Sequence, residues 1–217
     1  MKRREPTPKS PTSGVSRRSF IQTVGLSAAG SALAGAAEAH AAEIGASDPD
    51  TLGPGPIDLR LRINGNEQRF SVEPGTTLME VLRWHAKLTG TKEVCDRGSC
   101  GCCSVLIDGT LVVSCMMLAT DAQGSEIVTV EGLASGDSLD PVQVAFIKHD
   151  ALQCGYCTPG LIMASKALLS GNAKPTLAQI KKGLAGNICR CGTYNNVFNA
   201  VLEASGQQPV TDASREG

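Results

Sequence analysis

The nine cysteines of this 217-residue chain are spaced for metal chemistry. Cys95, Cys100, Cys103 and Cys115 form C-x4-C-x2-C followed, eleven residues on, by a distant fourth, and a second set pairs Cys154-Gly155-Tyr156-Cys157 with Cys189-Arg190-Cys191. Eight of the nine therefore fall into two groups of four, each able to offer four thiolates to a two-iron, two-sulfide (2Fe-2S) cluster. Cys102 is left over.

The spacing has a geometric reason. A small inorganic rhomb needs a tight loop that aims several sulfurs inward while backbone amides point at its sulfides, and Gly98 and Gly101 suit such a loop because glycine tolerates positive φ and close approach. Amide donors to sulfur also tune a cluster's potential. Two other chemistries use paired cysteines. Zinc sites usually join two C-x2-4-C knuckles, which the lone Cys115 and the tight Cys189-x-Cys191 fit poorly. A disulfide framework suits neither an odd count nor the run Cys100-Gly101-Cys102-Cys103.

The elements that must position these cysteines differ between the two halves. Residues 43–56 are rich in Pro, Gly, Asp and Ala and are expected to be a linker. Ile57 to Ile63 alternates apolar and polar residues, Asn64-Gly65 is a hairpin turn signal, and Gln68 to Val72 is the expected return strand. Thr77 and Glu80 form a capping box that opens a helix with Leu78, Val81 and Leu82 on one face, leading through Leu88-Thr89-Gly90 into the cysteine loop. Val105 to Ile107, the Asp108-Gly109 turn and Leu111 to Val113 form a second hairpin that delivers Cys115, and Glu126 to Val130 supplies a last strand. Residues 57–131 thus read as a β-grasp domain.

From Gly132 the pattern is helical. Asp140-Pro141 is an N-cap followed by Pro at the first helical position, with Val142, Ala145 and Phe146 on one face. Thr158-Pro159 repeats the device directly after Cys157, for a helix carrying Leu161, Ile162, Ala164, Ser165 and Leu168 up to Gly171. Thr176 with Gln179 caps a third helix bearing Leu177, Ile180 and Leu184, which Gly186-Asn187 is expected to stop, and a fourth carries Val197, Val201 and Ala204. The predicted fold class is α+β: an N-terminal β-grasp domain followed by an all-α four-helix domain over 132–205, then a tail from 206 to 217. Each half holds one cluster.

Composition is consistent with export. Of 20 basic and 21 acidic residues, six basic and two acidic lie in residues 1–42, so the remainder is acidic and has no nucleic-acid footprint. Ser16-Arg17-Arg18-Ser19-Phe20-Ile21 matches a twin-arginine signal, the run Val24 to Ala37 is weakly apolar, and Ala37, Ala39 and Ala41 offer small-residue cleavage sites. Residues 1–42 are therefore expected to be a signal peptide that sends the folded, cluster-loaded chain to a periplasm. The run is too short for a stable membrane span.

The ordered signature Cys95 to Cys115, Gln153-Cys154-Gly155-Tyr156-Cys157-Thr158-Pro159-Gly160 and Gly186-Asn187-Ile188-Cys189-Arg190-Cys191-Gly192 resembles the small iron-sulfur subunits of the molybdenum hydroxylase (xanthine oxidase) family, over roughly residues 57–205. With its twin-arginine leader, the chain is most similar to the iron-sulfur subunits of periplasmic aldehyde oxidoreductases. The resemblance implies a plant-type 2Fe-2S ferredoxin domain liganded by Cys95, Cys100, Cys103 and Cys115 and a helical 2Fe-2S domain liganded by Cys154, Cys157, Cys189 and Cys191. It implies a large molybdopterin-binding partner that oxidises an aldehyde to a carboxylic acid, electron flow through the helical-domain cluster first, and an FAD subunit or other acceptor last. Gln153 and Cys191 would approach the pterin, and an apolar patch around Gln153 and Gly155 would meet the partner. N-heterocycle hydroxylases and carbon monoxide dehydrogenase use similar subunits, and a free-standing ferredoxin-like carrier is the alternative from another class.

Two positions depart from the family pattern. Cys102 stands where Ala is usual and Val94 where many members have Gly; because Cys103 keeps the x2 spacing, Cys102 reads as a small buried side chain. His40, His85 and His149 have no carboxylate or cysteine at ligand spacing, and Trp84 and Tyr156 read as packing or interface. No nucleophile elbow, phosphate loop or dinucleotide fingerprint occurs, so no catalytic residue or substrate site is expected on this chain.

Overall fold

A computed structural model describes residues 52–210 of the chain. The expected leader with its Arg17-Arg18 pair, His40, most of the linker and the last residues of the tail lie outside the described residues.

The first half is a five-stranded mixed sheet, built from β1 (Ile57–Ile63), β2 (Asn66–Val72), β3 (Ser104–Ile107), β4 (Thr110–Val113) and β5 (Glu126–Val128) in the order β2-β1-β5-β3-β4. β1 pairs antiparallel with β2 and parallel with β5, and β3 pairs antiparallel with both β4 and β5. Both hairpins turn where the sequence places them: Asn64 and Gly65, and Asp108 and Gly109, all have positive φ, the conformation of a type I′ turn. Leu59, Leu61 and Ile63 of β1 alternate into a core completed by Leu78, Val81, Leu82, Val105 and Ile127. Helix α1 (Leu78–Glu80) opens on the Thr77–Glu80 capping box, and instead of continuing as α-helix it widens into a π-helical turn, Val81–His85.

β5 is shorter than its sequence suggests. The Thr129 amide donates to Asn64 Oδ1 (2.9 Å) instead of joining the ladder, and Asn64 Nδ2 donates to Thr129 Oγ1 (3.0 Å). The β1–β2 turn thereby holds the point where the sheet ends, and the chain continues as a 3₁₀ turn, Val130–Leu133.

The second half packs α2 (Pro141–Lys148), α3 (Thr158–Gly171), α4 (Leu177–Gly183) and α5 (Tyr194–Ala204) around Phe146, Leu161, Ile180, Val197 and Val201. Asp140 caps α2 as expected, accepting from the Val142 amide (2.9 Å) and pairing with Lys166 of α3 (2.5 Å). Two helix ends differ from expectation. Thr158 is the first residue of α3 rather than its cap, because Cys157 already has helical φ and ψ. The chain stops α4 at Leu184, leaving Gly186 and Asn187 for another task. His149 is not isolated: its Nε2 lies 2.5 Å from Glu203 of α5, which Lys148 also reaches, tying the C-terminal end of α2 to α5. Among the described residues no helix is long and apolar enough to cross a membrane.

The halves do not merely follow one another. Cys102, Leu111, Val130 and Leu133 of the first half belong to, or pack against, the apolar cluster of the helices. Helix α3 presses on the cysteine loop at Gly160, where a side chain would overlap the Gly101 carbonyl oxygen and crowd the Cys102 backbone. Gly160→Ala should therefore destabilise the subunit by about 1–3 kcal/mol, the cost of overpacking a tight contact, seen as a lowered thermal unfolding midpoint relative to wild type.

Candidate metal centres

The loop from Cys95 to Cys103 curls through left-handed backbone at Asp96, Gly98 and Gly101. That curl brings Cys95 to Cys100, while β3 and the turn after β4 bring Cys103 to Cys115; the thiols of each pair are in hydrogen-bonding contact. Backbone amides converge on the same sulfurs. Gly98 N–H donates to Cys115 Sγ (3.3 Å). Burial alone would raise the Cys95 thiol, but the amides of Arg97, Ser99 and Cys100 and the Cys100 thiol bring it down to about 7. Cys115, deeper, is pushed up to about 11 by burial despite the Gly98 amide.

The second quartet is assembled from two loops. Cys157 ends its loop at the start of α3, and Cys189 lies where Asn187 and Ile188 have left α4. Cys154 meets Cys191, and Cys157 meets Cys189. Cys157 is pushed up to about 12 by burial and by Cys189, whereas Cys189 is brought down to about 7: burial opposes this, but the Thr193 hydroxyl, 3.1 Å from its sulfur, and the backbone around Thr193 prevail. Cys154 is lowered by the Tyr156 amide and Cys191.

Pairs of thiols with amides aimed at them fit a bridged two-iron rhomb, in which each iron takes two thiolates and the sulfides accept from the backbone. A single tetrahedral ion would need its ligands to converge on one point. The hydroxyl of Thr158, the residue after Cys157, is buried with no protein partner.

Comparison with known proteins agrees with this geometry. Residues 61–132 match the 2Fe-2S iron-sulfur cluster binding domain and residues 129–202 the [2Fe-2S] binding domain. The chain is 39% identical over 208 residues to the aldehyde oxidoreductase iron-sulfur-binding subunit PaoA of Escherichia coli, covering 89% of each protein. This chain belongs to the iron-sulfur subunits of the molybdenum hydroxylases. Its fold also matches quinoline 2-oxidoreductase from Pseudomonas putida (TM-score 0.67, 39% identity, 72% of this chain and 100% of that one). The aldehyde oxidoreductase of Desulfovibrio desulfuricans matches equally well (TM-score 0.66, 38% identity, 69% of this chain), but there the matching part is 17% of a longer chain. The subunit carries two 2Fe-2S clusters and serves electron transfer in a molybdenum-dependent oxidoreductase.

Its two quartets differ in exposure. In the first, Cys103 and Cys115 are buried and Cys95 and Cys100 half-buried; in the second, Cys157 and Cys189 are buried while Cys154 and Cys191 are exposed. Gln153 is exposed beside Cys154, and Leu152, Tyr156 and Ile188 surround this opening as large exposed apolar side chains.

Cys102 is the ninth cysteine, and its thiol also neighbours that of Cys100. It lies between the quartets, buried in the helical core with Cys157, its sulfur 3.9 Å from the Cys100 carbonyl, and burial and the neighbouring Cys100 push its thiol up to about 12. Cys103, one residue on, turns to the other side and packs with Met79 and Cys115. Sequence spacing could not reveal this intermediate position, because only the docked helical half creates it. Cys102→Ala should keep about four irons per chain and both reduced cluster signals, whereas Cys103→Ala should lose one signal, as read by iron analysis and electron paramagnetic resonance.

Proposed function

We propose that the subunit relays electrons from a large molybdopterin-binding partner that oxidises aldehydes to carboxylic acids, and that it passes them to an FAD subunit or another acceptor. Cys154, Cys157, Cys189 and Cys191 hold the receiving cluster, and Cys95, Cys100, Cys103 and Cys115 the delivering one. The observation that carries this order is the asymmetry of exposure: two cysteines of the helical quartet, Cys154 and Cys191, are exposed, whereas those of the other quartet are all buried or half-buried.

At that opening Cys191 and Gln153 are exposed, which supports their approach to the pterin. Gln153 offers both a donor and acceptors for the edge of a heterocycle, and Cys191 joins the surface to the buried thiol pair through the quartet itself. The exposed ring of Tyr156 and side chains of Leu152 and Ile188 gain from burial against a partner, at about 25 cal/mol per Å² of apolar surface covered. Bound 2Fe-2S clusters supply one-electron acceptor chemistry, so two electrons from one aldehyde leave the partner singly. The thiolates hold each centre, amides such as that of Gly98 favour the added negative charge, and the buried pairs keep water from it.

The likeness to PaoA, which covers 89% of both chains and so reaches beyond the two cluster domains, supports aldehydes as the substrate class. The Ser16-Arg17-Arg18-Ser19-Phe20 leader supports export of the folded subunit to the periplasm by the twin-arginine route.

Purification through a C-terminal tag tests the relay. The wild type should bring down a large subunit with molybdenum and about four irons of its own, and Tyr156→Glu should keep those irons and lose the molybdenum; molybdenum retained in full would remove the assigned docking face. Replacing Arg17 and Arg18 together by Lys should leave the subunit in the cytoplasm, read by cell fractionation, and periplasmic recovery would refute the export route.

A further inference from the structure

The seam between the two cysteine loops is held by one buried side chain. Asn187, 5% exposed, lies two residues before Cys189 and donates from Nδ2 to the Gly101 carbonyl (2.8 Å) in the opposite loop, with Ser104 Oγ a second, longer partner (3.4 Å). The same carbonyl accepts from Ser104 Oγ (2.7 Å) and the Ser104 amide (3.2 Å), so it is fully drawn into the seam. On its own side Asn187 is anchored to the end of α4 by its amide, which donates to Leu184 O (3.0 Å). The next residue, Ile188, donates its amide to the carbonyl of Cys100 (2.9 Å). A ligand loop of one quartet is thus hydrogen-bonded, residue by residue, to a ligand loop of the other.

The sequence leaves room for this side chain and for little else. A Cβ on Gly101 would come 2.6 Å from Asn187 Nδ2 and 2.6 Å from the Gly186 carbonyl. Gly160 presses on the same stretch from α3. Loss of the Asn187 donor would leave the Gly101 carbonyl with its intraloop bonds alone and free the Cys100 loop to move away from Ile188.

From this geometry we infer that Asn187 is a positioning residue for electron transfer: by fixing the Gly101 carbonyl it sets the separation of the Cys100 and Cys189 loops, and with it the coupling between the two clusters. It touches neither sulfur nor iron and acts through the backbone of both loops. One electron leaves the reduced helical-domain cluster and one arrives at the oxidised ferredoxin-domain cluster; Asn187 alters how readily that exchange occurs without altering its balance. The inference rests on the two-cluster reading above.

The test uses the purified complex carrying Asn187→Asp, close to Asn in volume, or Asn187→Leu, larger but branched at the same carbon; both lack the amide donor. Three measurements are made: iron per chain, the magnetic splitting between the two reduced centres by electron paramagnetic resonance, and hydrogen exchange of the peptide containing Ile188. The inference expects about four irons, loss of the splitting, and Ile188 amide exchange about tenfold faster, the order expected when one buried hydrogen bond is removed. A mere packing role would leave the Leu variant with the wild-type splitting. Wild-type splitting and exchange in both variants would overturn the inference, and so would loss of iron from both, which would make Asn187 part of cluster retention. Failure of the two-cluster reading would show differently, as fewer than two reducible centres in the wild type.

Discussion

The carbonyl of Gly101 is the point on which the two halves of this subunit meet. It accepts from Ser104 within its own loop and from Asn187 across the seam, and Gly160 at the start of α3 leaves space for it by having no side chain. A carbonyl buried between two domains must be hydrogen-bonded or it costs free energy comparable to a lost bond. The seam is therefore specific in direction as well as apolar, and a helical domain sliding past the sheet would break its bonds one after another. Cys102 fills the remaining space in the apolar cluster that also holds Cys157.

Around that point the cysteines divide by depth. Each quartet combines buried sulfurs with more accessible ones, and each has backbone amides directed at its sulfurs. The source of those amides differs. The ferredoxin-type loop bends back through left-handed residues. The helical quartet uses the entry into α3 and the turn that precedes α5, where helical geometry leaves amides unpaired. Two unlike folds reach the same local chemistry because a thiolate requires little more than a nearby concentration of N–H groups.

The peripheral bonds serve the same arrangement. Asn64 reaches from the first hairpin to Thr129 and ends β5, Gln143 of α2 donates to the Val130 carbonyl just after it, and Glu203 gathers Lys148 and His149 at the other end of α2. The segment from His149 to Cys154, which brings Gln153 to the surface, is thus tied down at its start by a carboxylate on α5 and along its length by Asn196, which donates to the Asp150 carbonyl. The Glu203 carboxyl is lowered from its ordinary value by its hydrogen bonds to Lys148 first and His149 second.

Cysteine spacing, hairpin turns and helix caps are local properties, and the sequence determined them by itself. The short cysteine spacings within each motif, the Asn64-Gly65 and Asp108-Gly109 turns and the capping boxes at Thr77 and Thr176 depend on residues within a few positions of one another. Where a long-range bond competes with a local preference, the local reading ends. Thr129 leaves the β-ladder for Asn64, sixty-five residues away, and Thr158 gives up the cap position because Cys157 must already turn toward its quartet. Asn187 read as a helix stop; its partner at Gly101 lies 86 positions earlier, and no periodicity could announce it. Where Cys102 lies and how far each cysteine is exposed were decided only by the packed chain, in which α3 lies against the loop at Gly160, since these are properties of distance and exposure.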